Sequence, residues 1–188
     1  MTETQDELVA GLRRGDSAAF NRVYALHRPR IFGFLLRLSG RRDVADDLLQ
    51  DTWMKLARSA SSLREDTNLA AWLFTVARNE YLSYRRWAVL DVTRLLAFGL
   101  GRSDAVEEMG PEEQTEATRS MRDLERALAQ IAPGSREVLL LVGAFGMDQE
   151  QVAAILGVSY AALRQRLSRA RTELAQKLEK LQEQGGAR

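Results

Sequence analysis

The sequence predicts an all-α protein with two small helical domains joined by a flexible acidic linker. Apolar residues recur at helical spacing along most of the 188 residues, and the alternation typical of strands is absent. Between residues 96 and 118 this periodicity fades, and glycine and acidic residues accumulate there instead. We therefore predict a first domain at 1–95, the linker at 96–118 and a second domain at 119–188.

Start and stop signals divide the first domain into four predicted helices, at about residues 6–14, 17–39, 43–57 and 69–87. Pro29 falls inside the second segment, where it either kinks that helix or opens a new one. Asp43 and Asn68 have side chains that can cap the third and fourth helices. Between these two helices, residues 59–68 are predicted to form a polar loop.

The second domain contains four further predicted helices, at about residues 116–131, 135–145, 149–156 and 160–174. Pro133–Gly134 is predicted to separate the first two, because proline and glycine interrupt helical periodicity. Asp148 and Ser159 can cap the last two helices, and Gly157 supplies a tight turn between them. The last pair therefore has the layout of a helix-turn-helix.

The second helix of this pair is rich in arginine. Within eight residues it has four arginines and no acidic residue: Arg164, Arg166, Arg169 and Arg171. A short helix, a glycine turn and a basic second helix are what a protein needs to lay one helix in the major groove of DNA. The alternative is an ordinary helical hairpin, since many arginines lie on solvated helix faces.

The fourth predicted helix has one polar side that suits nucleic acid: Thr75, Arg78, Asn79, Ser83, Arg85 and Arg86. Arginine and asparagine can hydrogen-bond base edges or phosphates. Tyr81, Tyr84 and Trp87 could stack on unpaired bases. The alternative is an amphipathic helix whose aromatic residues belong to the core and whose arginines are solvated.

The third predicted helix has an acidic face formed by Asp43, Asp46, Asp47 and Asp51. The helix dipole accounts for part of this charge, because carboxylates are favoured near a helix start. The rest either binds a basic protein surface or is solvated. Acid–base catalysis has little support, because nothing indicates burial of these carboxylates, a metal partner or a nucleophile.

The composition excludes several kinds of site. Cysteine is absent, and a single histidine, His27, cannot build a multi-histidine metal site. Phosphate-binding glycine loops and Ser-His-Asp arrangements are also missing, so we expect no enzymatic activity, cofactor or metal. No apolar run reaches the roughly 20 residues that cross a bilayer, and the polar N-terminus is unlike a signal peptide. We therefore expect a cytoplasmic protein without a membrane span.

The net charge of +1 conceals a marked pattern along the chain. Residues 96–118 contain one basic and six acidic residues, whereas each flanking block has a net charge of +3. Phosphate neutralisation requires local rather than global positive charge. A nucleic acid contacted at two separate places would fit this distribution.

Taken together, these segments resemble a bacterial RNA polymerase sigma factor of the extracytoplasmic-function group. The run 43–53 (DVADDLLQDTW) looks like sigma region 2, and within it 47–51 is similar to the helix that binds the β′ coiled coil of the polymerase. The run 71–79 (AWLFTVARN) is close to the pattern that melts and reads the −10 element. The runs 135–141 and 149–171 look like sigma region 4, which reads the −35 element.

The resemblance implies a promoter-specificity factor without a cofactor, whose partners are the β and β′ subunits of core polymerase, promoter DNA and an anti-sigma factor. It implies polymerase contacts by Asp47, Gln50 and Asp51. It implies −10-element contacts, including a pocket for a flipped base, by Leu63, Arg64, Asn68, Arg78, Asn79, Arg85 and Arg86. It implies −35-element contacts by Ser159, Tyr160, Arg164, Gln165, Arg166 and Arg169.

The chain departs from the family pattern at two places, and two other functions compete with promoter recognition. Ala161–Ala162 stands where the family usually has Gly-Thr, and Ser83 stands where it commonly has an acid, so the −35 preference stays open. The first competing hypothesis is a sigma mimic that sequesters an anti-sigma factor without binding promoters, although a mimic does not need four arginines in that helix. The second is a stand-alone helix-turn-helix regulator, which leaves the first domain unexplained.

Overall fold

The computed structural model describes residues 4–97 and 116–186, and within these ranges the regular structure is entirely helical. The chain divides into two compact units, Met1–Val106 and Glu107–Arg188. The predicted all-α class is therefore confirmed. Most of the predicted linker lies outside the described residues, and its flexibility stays a prediction.

Unit 1 contains four helices: α1 (Gln5–Arg13), α2 (Ser17–Ser39), α3 (Arg42–Ser59) and α4 (Leu69–Ala97). A 3₁₀ turn, Ala60–Ser62, follows α3. The core lies where α2 packs against α3 and α4, and the rings of Phe34 and Phe74 meet there edge to face with centroids 5.2 Å apart. Helix α4 continues ten residues past its predicted end at Trp87.

Pro29 neither ends α2 nor opens a new helix, since α2 runs through it without interruption. Buried residues on one face continue from before the proline to after it: Val23, His27, Ile31, Phe34, Leu35 and Leu38. This packing holds the helix together, although a proline removes one backbone hydrogen bond. Gly40, with a φ of +68°, ends α2 in the left-handed conformation that glycine adopts most easily.

The prediction that Asp43 caps α3 is wrong. The helix begins at Arg42, and the capping position belongs to Arg41, which provides no side-chain cap. The Arg41 guanidinium instead pairs with the Asp43 carboxylate in the first turn, with Nε 3.1 Å from Oδ1. This hydrogen bond is the largest cause that lowers the pKa of Asp43. Asp43 therefore supports the helix start through charge rather than as a cap.

Unit 2 contains α5 (Glu116–Gln130), α6 (Pro133–Leu139), α7 (Gln149–Leu156) and α8 (Tyr160–Gly186). A π-helical turn, Leu140–Ala144, prolongs α6. The prediction that Pro133–Gly134 separates two helices is correct only in part, because Pro133 is itself the first residue of α6. Proline fits the first helical turn, where its missing N–H has no helical partner to lose.

The helix-turn-helix has the caps that the sequence predicts. The Asp148 carboxylate accepts a hydrogen bond from the Glu150 N–H at 2.8 Å, and the Ser159 hydroxyl accepts one from the Ala162 N–H at 3.2 Å. Gly157 forms the turn in the left-handed region, with a φ of +64°. Helix α8 extends twelve residues past its predicted end at Leu174. Across the described residues, no helix is long and apolar enough to cross a bilayer.

Candidate protein and nucleic-acid interfaces

The three predicted polymerase-binding residues lie on the solvent-facing side of α3. Asp47, Gln50 and Asp51 are all exposed. The opposite side of the helix is buried by Val44, Ala45, Leu48, Leu49, Thr52, Trp53 and Leu56. Within the part of the chain that the structure describes, neither Asp47 nor Asp51 has an ion-pair partner. A rigid helix therefore presents two unpaired carboxylates to any basic partner.

A groove lies on each side of this acidic face. The α2–α3 groove, of about 450 Å³, is lined partly by Tyr24, Trp53 and Met54. The rings of Tyr24 and Trp53 are in contact there, with centroids 4.7 Å apart. The α3–α4 groove, of about 400 Å³, lies on the side of Asp47 and Asp51. Sequence periodicity did not reveal either groove, because each is formed by two helices that meet only in the folded unit.

The loop before α4 holds three predicted −10-element residues in different environments. Leu63 is only 6% exposed, so its side chain packs into the core in the free chain. Arg64 is exposed and paired with Asp66, its guanidinium lying 2.9 Å from the carboxylate. Asn68 caps α4, because its Oδ1 accepts a hydrogen bond from the Ala71 N–H at 3.0 Å. Of these three residues, only Arg64 is exposed to solvent.

Helix α4 places the remaining predicted −10 residues along one surface. Asn79, Arg85 and Arg86 are exposed, and Arg78 is half-buried. Ser83, one of the two departures from the family pattern, accepts a hydrogen bond from Arg86 at 3.1 Å. This surface therefore combines one amide and three guanidinium groups, a set suited to phosphates and base edges.

The three aromatic residues of α4 do not share one environment, and for Tyr81 the structure supports the alternative in which the side chain belongs to the core. Tyr81 is buried, and its hydroxyl donates a hydrogen bond to the Leu38 carbonyl at 2.8 Å. Tyr84 is half-buried, whereas Trp87 is 68% exposed. Of the three, Trp87 has the largest ring surface available to a partner.

The predicted −35-element residues lie on the outer side of α8. Leu163, Leu167 and Ala170 bury the inner side of the helix. The outer side exposes Tyr160, Arg164, Gln165, Arg166 and Arg169. Ser159 is also exposed, but its hydroxyl is engaged as the helix cap. Ala161, which replaces the usual family glycine, is exposed among these side chains and offers only a methyl group.

Sequence reasoning missed part of the α8 surface. A polar cavity of about 400 Å³ is bounded by α7 and α8 and lined by Gln149, Arg164, Leu167, Ser168, Arg171 and Thr172. Two guanidiniums and several neutral polar groups make it a reasonable contact surface for a phosphate. The spacing of Arg164, Ser168 and Arg171 at i, i+4 and i+7 was the available signal, since it places them on one helix face.

Among the described residues, no group of three or more His, Asp or Glu side chains is arranged to hold a metal.

The pKa of Glu173 is lowered, chiefly because its carboxylate accepts a hydrogen bond from the Ala132 N–H at 2.9 Å. This contact ties α8 to the start of α6 and lies outside the surfaces described above. The candidate surfaces described above display charged and aromatic side chains.

Family models match both units of the chain. The model of Sigma-70 region 2 matches residues 23–88, which lie in α2 to α4. The model of Sigma-70, region 4 matches residues 121–174, from α5 to the first half of α8. Together these matches cover more than half of the chain, and each falls on one of the two helical units.

Curated relatives and solved structures are similar along most of the chain. The ECF RNA polymerase sigma factor EcfG of Rhodopseudomonas palustris is 35% identical over 150 residues, covering 78% of each chain. The sigma factor CarQ of Myxococcus xanthus is 31% identical, covering 90% of this chain and 95% of the relative. The sigma factor RpoE from Bartonella quintana, solved with the anti-sigma factor NepR, has a TM-score of 0.72 and 32% identity over 85% of this chain and 96% of that one.

Proposed function

The chain belongs to the RNA polymerase sigma factors of the extracytoplasmic-function (ECF) group, and we propose how its two units divide promoter recognition. As a sigma factor, it binds core RNA polymerase and directs it to promoters. The proposal rests on the order in which the charged helices follow one another along the chain. An acidic helix and a basic helix occur in the region 2 unit, and an arginine-rich helix-turn-helix occurs in the region 4 unit.

We propose that Asp47, Gln50 and Asp51 bind the polymerase. Their exposure on one face of α3 and the unpaired state of both carboxylates support this assignment. Complementary charge accelerates association and favours the correct partner, whereas exposed ion pairs add only modest affinity.

In this proposal the chain itself catalyses no reaction and requires no cofactor, and it acts in the cytoplasm, where bacterial polymerase transcribes.

The region 2 unit also contacts the −10 element in this proposal. Asn79 and Arg78 contact bases of the opened strand, and Arg85 and Arg86 hold phosphates. Arg64, Asn68 and the backbone at Leu63 form the pocket for a flipped base. Extracting a base costs about a few kcal/mol, so the pocket and the phosphate contacts together must offset that cost. A pocket built on a loop anchored by the Asn68 cap is suited to this task.

The region 4 unit contacts the −35 element through α8. Tyr160, Arg164 and Gln165 lie in the first turns of the helix, which is the part that reaches base edges in a helix-turn-helix. Arg166 and Arg169 lie further along the exposed side and contact phosphates, and Ser159 fixes the start of the helix. Because Ala161–Ala162 lacks a hydroxyl, −35 selectivity depends mainly on Arg164 and its neighbours.

Transcription from a randomised promoter library with purified core polymerase tests this division. Asn79→Ala should reduce base selectivity at the −10 element only, and Arg164→Ala at the −35 element only. Each should lower selectivity at its own element by about fivefold or more, since a good base contact contributes about 1–3 kcal/mol of discrimination. Arg14→Ala serves as the control, because Arg14 is an exposed arginine directly after α1. It should change base selectivity at neither element.

Two results would contradict the proposal. If Arg164→Ala leaves every base preference unchanged, α8 does not read the −35 element. If the wild-type chain binds core polymerase but starts no transcript from any promoter in the library, the sigma-mimic hypothesis is the better one. A gel shift on duplex DNA without polymerase addresses the stand-alone regulator, which should bind tightly where a sigma factor binds poorly.

We also propose that an anti-sigma factor regulates this chain. The relative from Bartonella quintana is solved in complex with the anti-sigma factor NepR, and it covers 85% of this chain at 32% identity. A protein that co-purifies with the tagged chain should suppress transcription when it is added to the assay above, and excess chain should restore it. A co-purifying protein that leaves transcript yield unchanged would count against this regulation.

A further inference from the structure

The α3–α4 groove combines carboxylates and aromatic rings in one concave surface. Helix α3 contributes Val44, Asp47, Leu48 and Asp51, and helix α4 contributes Glu80, Ser83, Tyr84 and Trp87. Val44 and Leu48 are buried and form an apolar floor, while Asp47 and Asp51 are exposed along the α3 side. At about 400 Å³ the groove has room for one long side chain of a partner protein.

The charges in this groove favour a cation and disfavour DNA. The side chain of Glu80 is only 14% exposed and is paired with Lys55, so that carboxylate is already neutralised within the unit. Asp47 and Asp51 have no such partner among the described residues, and they lie one helical turn apart. Arg86 lies at the α4 side, where it donates to Ser83. A DNA phosphate beside two unpaired carboxylates would be repelled.

The exposed ring of Trp87 indicates which cation the groove suits best. An indole that is 68% exposed leaves a large aromatic surface in water, and it lies beside two carboxylates. A guanidinium can stack on an aromatic face and donate two parallel hydrogen bonds to a carboxylate at the same time. A lysine ammonium lacks the planar fork, and an unpaired base lacks the positive charge.

We infer that the α3–α4 groove receives an arginine side chain of core RNA polymerase, which stacks on Trp87 and pairs with Asp47 and Asp51. The inference rests on the proposed polymerase-binding role of the acidic α3 face and extends that interface to α4. Trp87 and Tyr84 are then polymerase contacts and not base-stacking residues. Adjacent strips of α4 consequently serve different partners, with polymerase along Tyr84 and Trp87 and the promoter along Arg78 and Asn79.

Equilibrium binding of the full-length chain to purified core polymerase, without DNA, tests this inference. Trp87→Ala should weaken binding by about fivefold or more, whereas Trp87→Phe, which keeps an aromatic face, should lose less. Leu26→Ala is the matched control, because Leu26 is 61% exposed and lies on α2 outside the groove. It should bind as tightly as the wild type. Circular dichroism of each variant checks that the fold is retained.

A double variant tests whether Trp87 and Asp51 hold the same cation. If they do, the fold-loss of affinity in the double variant Trp87→Ala with Asp51→Asn should be smaller than the product of the two single fold-losses. The reason is that the second change removes an interaction that the first has already broken. Losses that multiply would overturn the shared-arginine geometry.

Promoter opening at saturating chain concentration distinguishes the remaining outcomes. Trp87→Ala should open a promoter as well as the wild type once all core polymerase is occupied. If that variant binds core normally but opens promoters poorly, Trp87 stacks on bases and the inference is overturned. If the wild-type chain itself fails to bind core polymerase, the proposed function fails, which is a different result.

Discussion

At the residue scale, the arginines of this chain differ by what surrounds them. Arg41 pairs with Asp43 at the start of α3. Arg136 donates a hydrogen bond of 2.6 Å to the carbonyl of Ala129, in the last turn of α5. Arg164 is exposed on α8, where no neighbouring acid shares its helix face. Identical side chains thus pair with a carboxylate at a helix start, hydrogen-bond a carbonyl at a helix end, or remain exposed to solvent. The local partner, not the residue type, decides which guanidinium is available for phosphate.

The same distinction applies to the tyrosines of α4 and gives a prediction. Tyr81→Phe should lower the free energy of unfolding by about 1 kcal/mol, because the buried Leu38 carbonyl loses its hydrogen-bond donor. Tyr84→Phe is the matched control, since Tyr84 is half-buried and no hydrogen bond of its hydroxyl is present among the described residues. Urea unfolding of both variants checks the difference, and equal losses would argue against the Tyr81 contact.

At the element scale, the fold depends on how closely its helices approach one another. Helices α1 and α2 meet at Gly11, where a Cβ atom would lie 2.5 Å from the Cβ of Ala19. No real pair of carbon atoms packs at that distance, so the absence of a side chain at Gly11 sets the separation of the two helices. The helical periodicity of α1 gives no indication of this approach.

Gly11→Ala should therefore destabilise unit 1 by about 1–3 kcal/mol, the usual effect of overpacking a tight contact. The exchange of both residues, Gly11→Ala with Ala19→Gly, should recover part of the loss, because the methyl group then has space on the opposite helix. Thermal unfolding followed by circular dichroism measures both variants. An unchanged midpoint for Gly11→Ala would mean that α1 and α2 are further apart than described.

At the scale of the whole molecule, each unit separates its binding surfaces by charge. In the region 2 unit, α3 displays the acids and α4 displays the basic residues on its Asn79 side. The region 4 unit concentrates its exposed arginines on α8. In the proposed function, this charge separation matches the acidic α3 face to polymerase and the arginines of α4 and α8 to promoter DNA.

The stability of the whole chain should depend on pH through its single histidine. His27 is buried, and burial followed by the nearby Arg30 lowers its pKa below the ordinary value of 6.5. As the pH falls through 6.5, the unfolded chain takes up a proton that the folded chain resists. The free energy of unfolding should therefore decrease from pH 7.5 towards pH 5.5 and change little further once pH lies below the folded-state pKa.

Urea unfolding at several pH values checks this dependence, with His27→Gln as the comparison. The variant removes the single histidine of the chain, so its stability should vary less across the same range. A slope of equal size in both chains would assign the pH dependence to other groups.

The sequence by itself determined the helical class, most helix starts and the family. Capping side chains such as Asn68, Asp148 and Ser159 act within one turn, so their neighbours in the chain suffice to predict them. The arginine-rich helix and the region 2 motif are likewise continuous segments. Local order in the chain therefore carried most of the information behind the proposed nucleic-acid surfaces.

Only the tertiary structure decided which of these side chains are accessible. Tyr81 and Leu63 are buried, while Trp87 is exposed, although all three follow plausible patterns for a nucleic-acid contact. The α3–α4 groove and the close approach at Gly11 likewise exist only where two helices meet. Burial is a property of the packed unit, because it depends on partner helices that the periodicity of a single helix does not specify.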